Sequence, residues 1–313
     1  MTADTGQFLA AAGEFLRAEP ARNSVMLTVT EELRVKAATQ AQAAQLPVAA
    51  AQAASQLPPG GQGVGQPLFG WWRPDDGPVG AAFMHTPGFP VMLSRVCASS
   101  AAGLAGDLAA VGRLLDGVNA AEDAADAFAA AWRERTGDTV TVYRRMRLFR
   151  LGDLIAPAPA PTGTARLAAE TDRDLLARWF EAFTREVRDP PGRDHYGAVD
   201  DRLGYGGLTV WEVGDVPVSI AGLTRAVAGM VRVGPVYTPP DLRGRGYAGA
   251  ATAAVSQAAL DAGVRDVVLY TDLANPTSNA LYQRLGYLPM EDRVLLSFEP
   301  AVKHAPVRDP ASS

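Results

Sequence analysis

Cysteine is almost missing: Cys97 is the only one in 313 residues. That excludes an intrachain disulfide and a cysteine-ligated metal cluster. Between Val96 and Ala98 it is expected to be a small buried side chain. Histidine is also scarce. His85, His195 and His304 stand far apart, without the spacing of metal ligands, so no metal is expected. Lysine is limited to Lys36 and Lys303, and arginine carries the positive charge within a net charge of −5. The run Arg144-Arg145-Met146-Arg147 is short and lies in a strand-like segment, where it reads as a solvated face. Without a clustered basic face, no nucleic-acid partner is expected. There is neither a run of about 18 apolar residues nor a charged-then-apolar leader. The expectation is a cytoplasmic protein with no membrane partner.

What is present suits a globular chain: 48% of residues are hydrophobic and 20% charged. The length predicts two domains. Ala156-Pro157-Ala158-Pro159-Ala160-Pro161 reads as a semi-rigid linker and places the boundary. The expected division is 1–155, a linker at 156–163, a second domain at 164–300 and a flexible tail at 301–313.

In the first half, helices are predicted over 7–17, 24–36, 101–115 and 120–135, and strands over 67–73, 79–85, 90–97 and 139–151. The Ala/Gln-rich stretch 37–56 extends a helix or forms a low-complexity insert, ended by Pro58-Pro59-Gly60-Gly61. In the second half a short strand at 165–168 precedes a helix from Asp172, N-capped by Thr171. The polar stretch 189–207 reads as a loop. Gly214-Asp215 joins a hairpin of 208–213 and 216–224. A strand at 231–238, a helix at 247–262, a strand at 267–271, a helix at 276–285 and a strand at 294–298 complete it. Asn275 and Pro276 suit the N-cap and first turn of the last helix. Gly263 and Gly286 suit helix ends.

Thr238-Pro239-Pro240-Asp241-Leu242-Arg243-Gly244-Arg245-Gly246-Tyr247-Ala248 follows a strand and opens a helix. Gly244 and Gly246 permit a tight backbone turn. The amides of Gly244, Arg245, Gly246, Tyr247 and Ala248 can then converge on one spot, with the positive end of the helix behind them. Such a spot suits a diphosphate, and Arg243 and Arg245 can add charge-assisted bonds. The same pattern also serves as a plain strand–helix connection. Gly-Lys-Ser/Thr and a third glycine are absent, so it is neither a Walker loop nor a dinucleotide fingerprint.

A second segment runs from Leu269 to Tyr287 and holds Asn275, Asn279, Tyr282 and Gly286-Tyr287. The two segments, separated by one helix and one strand, resemble the signature motifs of the GNAT superfamily of N-acetyltransferases. The first is similar to its Gln/Arg-x-x-Gly-x-Gly/Ala pattern and the second to its Asn…Tyr-x-x-x-Gly-Phe/Tyr pattern. The resemblance covers about residues 164–300. It implies acetyl-CoA as co-substrate, with no metal, and a small amine acceptor: an amino acid, a peptide N-terminus or another small molecule. By it, the strand ending at Thr238 splays from 267–271. Backbone groups of Val236, Tyr237 and Thr238 then pair with the pantetheine arm and the acetyl group. Asn275 and Asn279 orient the cofactor, although Asn275 also reads as an ordinary N-cap. Tyr282 protonates the departing thiolate; a buried tyrosine also commonly packs as core.

No carboxylate stands on the strand at 231–238 to act as base. Glu212 and His195 are the remaining candidates, beside their plainer readings as strand-face and loop residues. Trp179, Phe180 and Phe183 line an acceptor pocket or, at helical spacing, pack as core. The first half repeats the coarse element order of the second. Its counterpart of the glycine turn, Cys97-Ala98-Ser99-Ser100-Ala101-Ala102-Gly103, has no arginine and no Gly-x-Gly. The expected fold is therefore α/β (α+β): two GNAT-like domains, each a mixed, mostly antiparallel twisted sheet flanked by helices, the first degenerate. Three functional readings remain: a working N-acetyltransferase, an acyl-CoA-binding regulatory module without turnover, and a tandem enzyme of the mycothiol-synthase type. A homodimer is a further expectation.

Overall fold

Residues with apolar alternation form the strands, and Asp, Asn, Pro and Gly punctuate the helices, in a computed structural model that describes residues 1–44, 66–74, 77–189 and 192–301. The expectations for 45–56, for the Pro58–Gly61 stop and for the tail beyond Ala301 lie outside the described residues. The first half contains α1 (Thr5–Ala18), α2 (Ser24–Ala44), β1 (Leu68–Trp72), β2 (Ala81–His85), β3 (Val91–Leu93), α3 (Ala98–Ala110), β4 (Gly117–Ala120), α4 (Glu122–Thr136) and β5 (Thr139–Leu151). The second contains β6 (Thr164–Leu167), α5 (Arg173–Glu186), α6 (His195–Gly204), β7 (Leu208–Val213), β8 (Val216–Leu223), β9 (Met230–Tyr237), α7 (Tyr247–Asp261), β10 (Asp266–Asp272), α8 (Pro276–Arg284) and β11 (Tyr287–Glu299).

All eleven strands join in one mixed sheet, in the order β1-β2-β3-β4-β11-β5-β10-β9-β8-β7-β6. Only β3–β4 and β9–β10 are parallel. The two halves exchange their last strands. β5 of the first half lies between β10 and β11, and β11 of the second lies between β4 and β5. The β5–β11 ladder runs from Tyr287 opposite Leu151 to Glu299 opposite Thr139.

Side chains alternate across this sheet. Phe149, Val231, Val233, Val267 and Leu269 pack with α7 and α8. Leu148, Met230 and Val268 face the other way, into the layer of α1 and α2. A further cluster holds α5 and α6 against β7, β8 and β9 through Trp179, Phe180 and Val199. Trp179 and Phe180 are thus core residues.

Five sequence expectations need correction. Gly117–Ala120, left without an element between the predicted helices, is a buried strand, and the following helix starts at Glu122 rather than 120; so short an apolar run has no period of its own, and its neighbours β3 and β11 decide it. The stretch after Asp189 contains α6, whose N-cap Asp194 accepts from the Gly197 amide at 2.8 Å. β11 starts at Tyr287 rather than 294, because a register shift between Pro289 and Glu291 admits a proline in mid-sheet. A 3₁₀ turn, Glu170–Asp172, precedes α5, and Asp172 rather than Thr171 ties that entry, accepting from the Ala169 amide at 2.8 Å. Cys97 is also exposed rather than buried, at the start of α3.

The linker is anchored. Gly286, at φ +92°, brings its backbone against the Asp153 carbonyl so closely that a Cβ would lie 1.9 Å from that oxygen. Ile155 donates its amide to the Leu285 carbonyl at 3.0 Å.

Arg293 on β11 is the buried polar tie of the exchanged strands. Its Nε donates to Asn119 Oδ1 at 2.9 Å and its Nη1 to Glu291 at 2.9 Å. Its Nη2 donates to the carbonyls of Leu93 at 2.7 Å and Asn119 at 2.8 Å. Arg22, from the α1–α2 turn, closes the network on Glu291 at 2.7 Å. Arg293→Met is expected to destabilise the protein by about 3 kcal/mol or more, because it leaves a buried carboxylate and two carbonyls short of partners. Denaturant melts of the purified variant would read this. Asp172 carries a second, acid-sensitive tie. Hydrogen bonds from Arg166 hold its carboxyl below the ordinary value of 3.8. Its contribution is therefore present above that value and lost as pH falls through the lower folded value. Asp172→Asn should flatten the acid limb of the stability profile, measured below about pH 4.

Candidate active site

β9 and β10 pair only at Met230–Asp266, Val231–Val267 and Arg232–Val268. Beyond Arg232 and Val268 the two strands have no mutual pairs, although β9 continues to Tyr237 and β10 to Asp272. A sheet normally leaves no such gap in its interior, because backbone groups there need partners. The register between β8 and β9 also shifts, between Ala221 and Leu223, where Gly234 and Pro235 stand opposite. Pro235 has no N–H to donate. Val236, Tyr237 and Thr238 lie at the open end of this gap. The carbonyl of Tyr237 already accepts from Ser219 Oγ at 3.0 Å, and that of Thr238 from Arg243 Nε at 2.9 Å.

The chain then turns through Pro240–Leu242 into α7. Gly244 at φ +76° and Gly246 at φ +84° take the left-handed conformation that L side chains resist. Gly246 is the N-cap residue and supplies no side chain to the helix end. The amides of Gly244, Arg245, Gly246, Tyr247, Ala248 and Gly249 donate to no protein acceptor among the described residues. Unpaired amides at a helix N-terminus can serve an anion. The linker passes beside it: Pro161 lies 3.5 Å from the position of a Gly246 Cβ.

The arginines of this turn differ. Arg243 is engaged, with Nη2 at 2.6 and 2.8 Å from the two carboxylate oxygens of Glu186 and its guanidinium 5.8 Å from the centre of the Tyr237 ring. Arg245 makes only a 3.3 Å contact with the Asp241 carbonyl and is exposed. Tyr247 is buried under the turn, and Ala248 is half-buried.

α8 delivers Tyr282 to the same place. Tyr282 packs with Val231, Val233 and Leu269, the residues that flank the divergence of β9 and β10. Its ring meets Tyr287 edge-on at 5.9 Å. Tyr287 is tied to Ser256 Oγ at 2.7 Å, whereas the Tyr282 hydroxyl has no hydrogen-bond partner among the described residues. Burial pushes the Tyr282 hydroxyl up to about 12, so it is protonated at neutral pH.

The two asparagines are used within the turn. Asn275 Oδ1 caps α8 by accepting the Ser278 amide at 3.0 Å. Asn279 accepts from Thr271 Oγ1 and donates to the carbonyls of Asp272 at 2.9 Å and Asn275 at 2.8 Å. Together they fix the start of α8 against the end of β10. Glu212 is held by Arg166 at 2.6 Å on β7, and His195 is the first residue of α6. Neither belongs to the group formed by the strand gap, the glycine turn and Tyr282. Among the described residues, no set of three or more His, Cys, Asp or Glu side chains gathers as a metal site, and no helix is long and apolar enough to cross a membrane. A depression of about 480 Å³ is lined by Glu170 just before α5, Arg173 at its start, and Asp200 and Leu203 of α6.

The sequence reading missed the part played by the first half at the mouth of the gap. Tyr143 and Arg144 on β5 donate to the carbonyls of Arg188 and Val187, which follow α5. Arg193 lies over the Phe89 ring at 5.2 Å. Only the exchanged position of β5 brings these residues there, and no local motif announces it.

Comparison with known proteins agrees with this geometry. Residues 170–287 match the family model described as Acetyltransferase (GNAT) family. No curated protein matches the chain. A crystal structure of a GCN5-related N-acetyltransferase from Sphaerobacter thermophilus is 19% identical, with TM-score 0.54 over 72% of this chain and 78% of that one. An acetyltransferase from the GNAT family of Colwellia psychrerythraea is 10% identical, with TM-score 0.52 over 74% and 85%. An X-ray structure of a Drosophila protein is 13% identical, with TM-score 0.62 over 95% and 97%. These likenesses establish the fold, and the family match spans both motifs: the chain carries a GNAT acetyltransferase fold, with the glycine turn and Tyr282 inside the matched segment.

Proposed function

We propose that residues 164–300 transfer an acetyl group from acetyl-CoA to the primary amine of a small molecule, an amino acid or a peptide. The observation that carries this reading is the coincidence of three features at one place: an interior sheet gap, a turn of unpaired amides, and a tyrosine hydroxyl without a protein partner. The residues fit the co-substrate. Unpaired amides suit its diphosphate, and the open edge of β9 suits an amide-bearing pantetheine arm laid in strand fashion.

Acetyl-CoA supplies an acetyl group activated as a thioester. The turn from Gly244 to Ala248 binds the diphosphate, with Arg245 adding charge, while Arg243 stiffens the turn through Glu186. The backbone of Val236, Tyr237 and Thr238 aligns the acyl end and donates to the carbonyl oxygen as charge builds on it. The neutral amine forms its bond to the acetyl carbon as the carbon–sulfur bond breaks. Tyr282 gives its proton to the departing sulfur, and the amine proton passes to water. Holding both reactants in one cleft lowers the entropic barrier. Asn275 and Asn279 act by holding α8, and with it Tyr282, in place.

The first half reads as a degenerate copy that shapes the acceptor side. Its parallel pair β3–β4 repeats β9–β10, but the guanidinium of Arg293 is bonded to the carbonyls of Leu93 and Asn119 at the end of that pair. No Gly-x-Gly turn follows β3. One acetyl-CoA per chain is therefore expected in a calorimetric titration; two would overturn the copy's degeneracy.

Tyr282→Phe is expected to lower kcat by about 100-fold or more while acetyl-CoA affinity and melting temperature stay close to wild type, since the hydroxyl makes no protein hydrogen bond. Unchanged turnover would leave Tyr282 a core residue, and an enzyme without any turnover would favour the acyl-CoA-binding module. Because Tyr282 stays protonated up to about 12, its ionisation should cause no fall in rate below that pH. Gly246→Val forces a left-handed conformation on a β-branched residue, at a cost of about 1–2 kcal/mol. It should abolish acetyl-CoA binding in the same titration while far-UV circular dichroism shows the fold retained.

A further inference from the structure

The opposite side of the same strand gap carries a cation that nothing among the described residues neutralises. Arg232 is the last β9 residue paired with β10, and it faces the layer of α2 and α6 rather than that of α7 and α8. Its guanidinium makes no hydrogen bond and no ion pair among the described residues, and Nη1 is sealed from solvent without a partner. The side chain as a whole is half-buried, so the pocket keeps an opening. Burial lowers its proton affinity, and the neighbouring charges are Arg202, which repels it, and Glu32, which attracts it from beyond ion-pair distance.

The surrounding groups do not supply the missing anion. Arg202 donates Nη1 to the Ala198 carbonyl at 3.0 Å, and its own Nε is buried without a partner. Arg225 is already paired with Asp201 at 2.6 Å and lies over the Tyr205 ring at 4.1 Å. The Tyr205 hydroxyl is spent on the Leu223 carbonyl at 2.8 Å. Two partly desolvated guanidinium groups with orphaned N–H donors are costly in a folded protein. Arg293, by contrast, has Nε, Nη1 and Nη2 all hydrogen-bonded. The contrast marks Arg232 as a group awaiting an external partner.

We propose that Arg232, supported by Arg202, binds the carboxylate of the acceptor, so that the substrates are amines carrying a carboxylate, such as amino acids. This deepens the acetyltransferase reading and rests on it. The strand gap separates Tyr282 on the α7–α8 side from Arg232 on the other. An acceptor seated on Arg232 therefore enters from the face opposite the glycine turn, which leaves the turn and the open edge of β9 to the co-substrate.

The test compares each of several amino acids with its carboxamide as acceptor, and the N-acetyl amino acids with the N-acetyl amino amides as ligands in calorimetry. In wild type the acids should exceed the amides by about 100-fold in kcat/KM and bind correspondingly tighter, because a buried charged donor left unmatched is strongly penalised. Arg232→Met should reduce that preference to within a few-fold and leave acetyl-CoA affinity unchanged. Its melting temperature should equal or exceed that of wild type, since an unmatched charge is removed. Arg232→Lys should restore part of the preference. Amides bound and acetylated as well as acids by wild type would overturn the proposal even if the methionine variant failed to fold. Carboxylate binding without acetyl-CoA binding would leave the Arg232 site standing and overturn the acetyltransferase reading instead.

Discussion

The fold depends on the ladder between β5 and β11, each thirteen residues long and each belonging to a different half. Because the strands are exchanged, neither half can complete its sheet alone. β10 needs β5 as its outer neighbour, and β4 needs β11. Arg293, opposite Met146 near the middle of the ladder, ties the exchange to backbone carbonyls of β3 and β4, and Gly286 fixes one end by letting the linker close on the turn before β11. A rigid central ladder has a consequence next door. With β10 held firmly on its β5 side, the sheet can tolerate an opening on its β9 side.

That opening organises the functional face. Pairing between β9 and β10 stops at Arg232 and Val268, and the chain directly after β9 adds the unpaired amides of the glycine turn; in the proposed reading both serve as recognition groups. The two faces of the gap then differ in chemistry. The α7–α8 side is apolar around Tyr282, which keeps its hydroxyl protonated. The α2–α6 side holds Arg232 and Arg202. In the proposed reading, one sheet defect separates a donor face from an acceptor face with no added element.

The exchange also explains why the first half matters to a site whose motifs lie in the second. Tyr143 and Arg144 reach the chain after α5 from β5, and Phe89 meets Arg193 from the β2–β3 connection. Variation in the first half can therefore alter the chain after α5 without touching the glycine turn.

Much of the second half was legible locally. Gly-x-Gly before an alanine-rich helix, Asn-Pro at the start of α8 and Gly-Asp between two apolar runs are signals whose physical cause lies in a few adjacent residues: left-handed backbone, a capping oxygen, a tight turn. The presence of Tyr282 in register with Gly286-Tyr287 was equally local. The tertiary structure alone decided the rest. β4 is a strand because β3 and β11 flank it, and β11 extends through Pro289 because β5 offers a partner. Arg243 binds Glu186 rather than standing free, Asn279 serves the end of β10, and Cys97 lies at the surface. Above all, nothing near Arg232 in sequence marks it as unpaired. Whether a charge has a partner depends on what distant segments bring to it, and sequence neighbours do not carry that information.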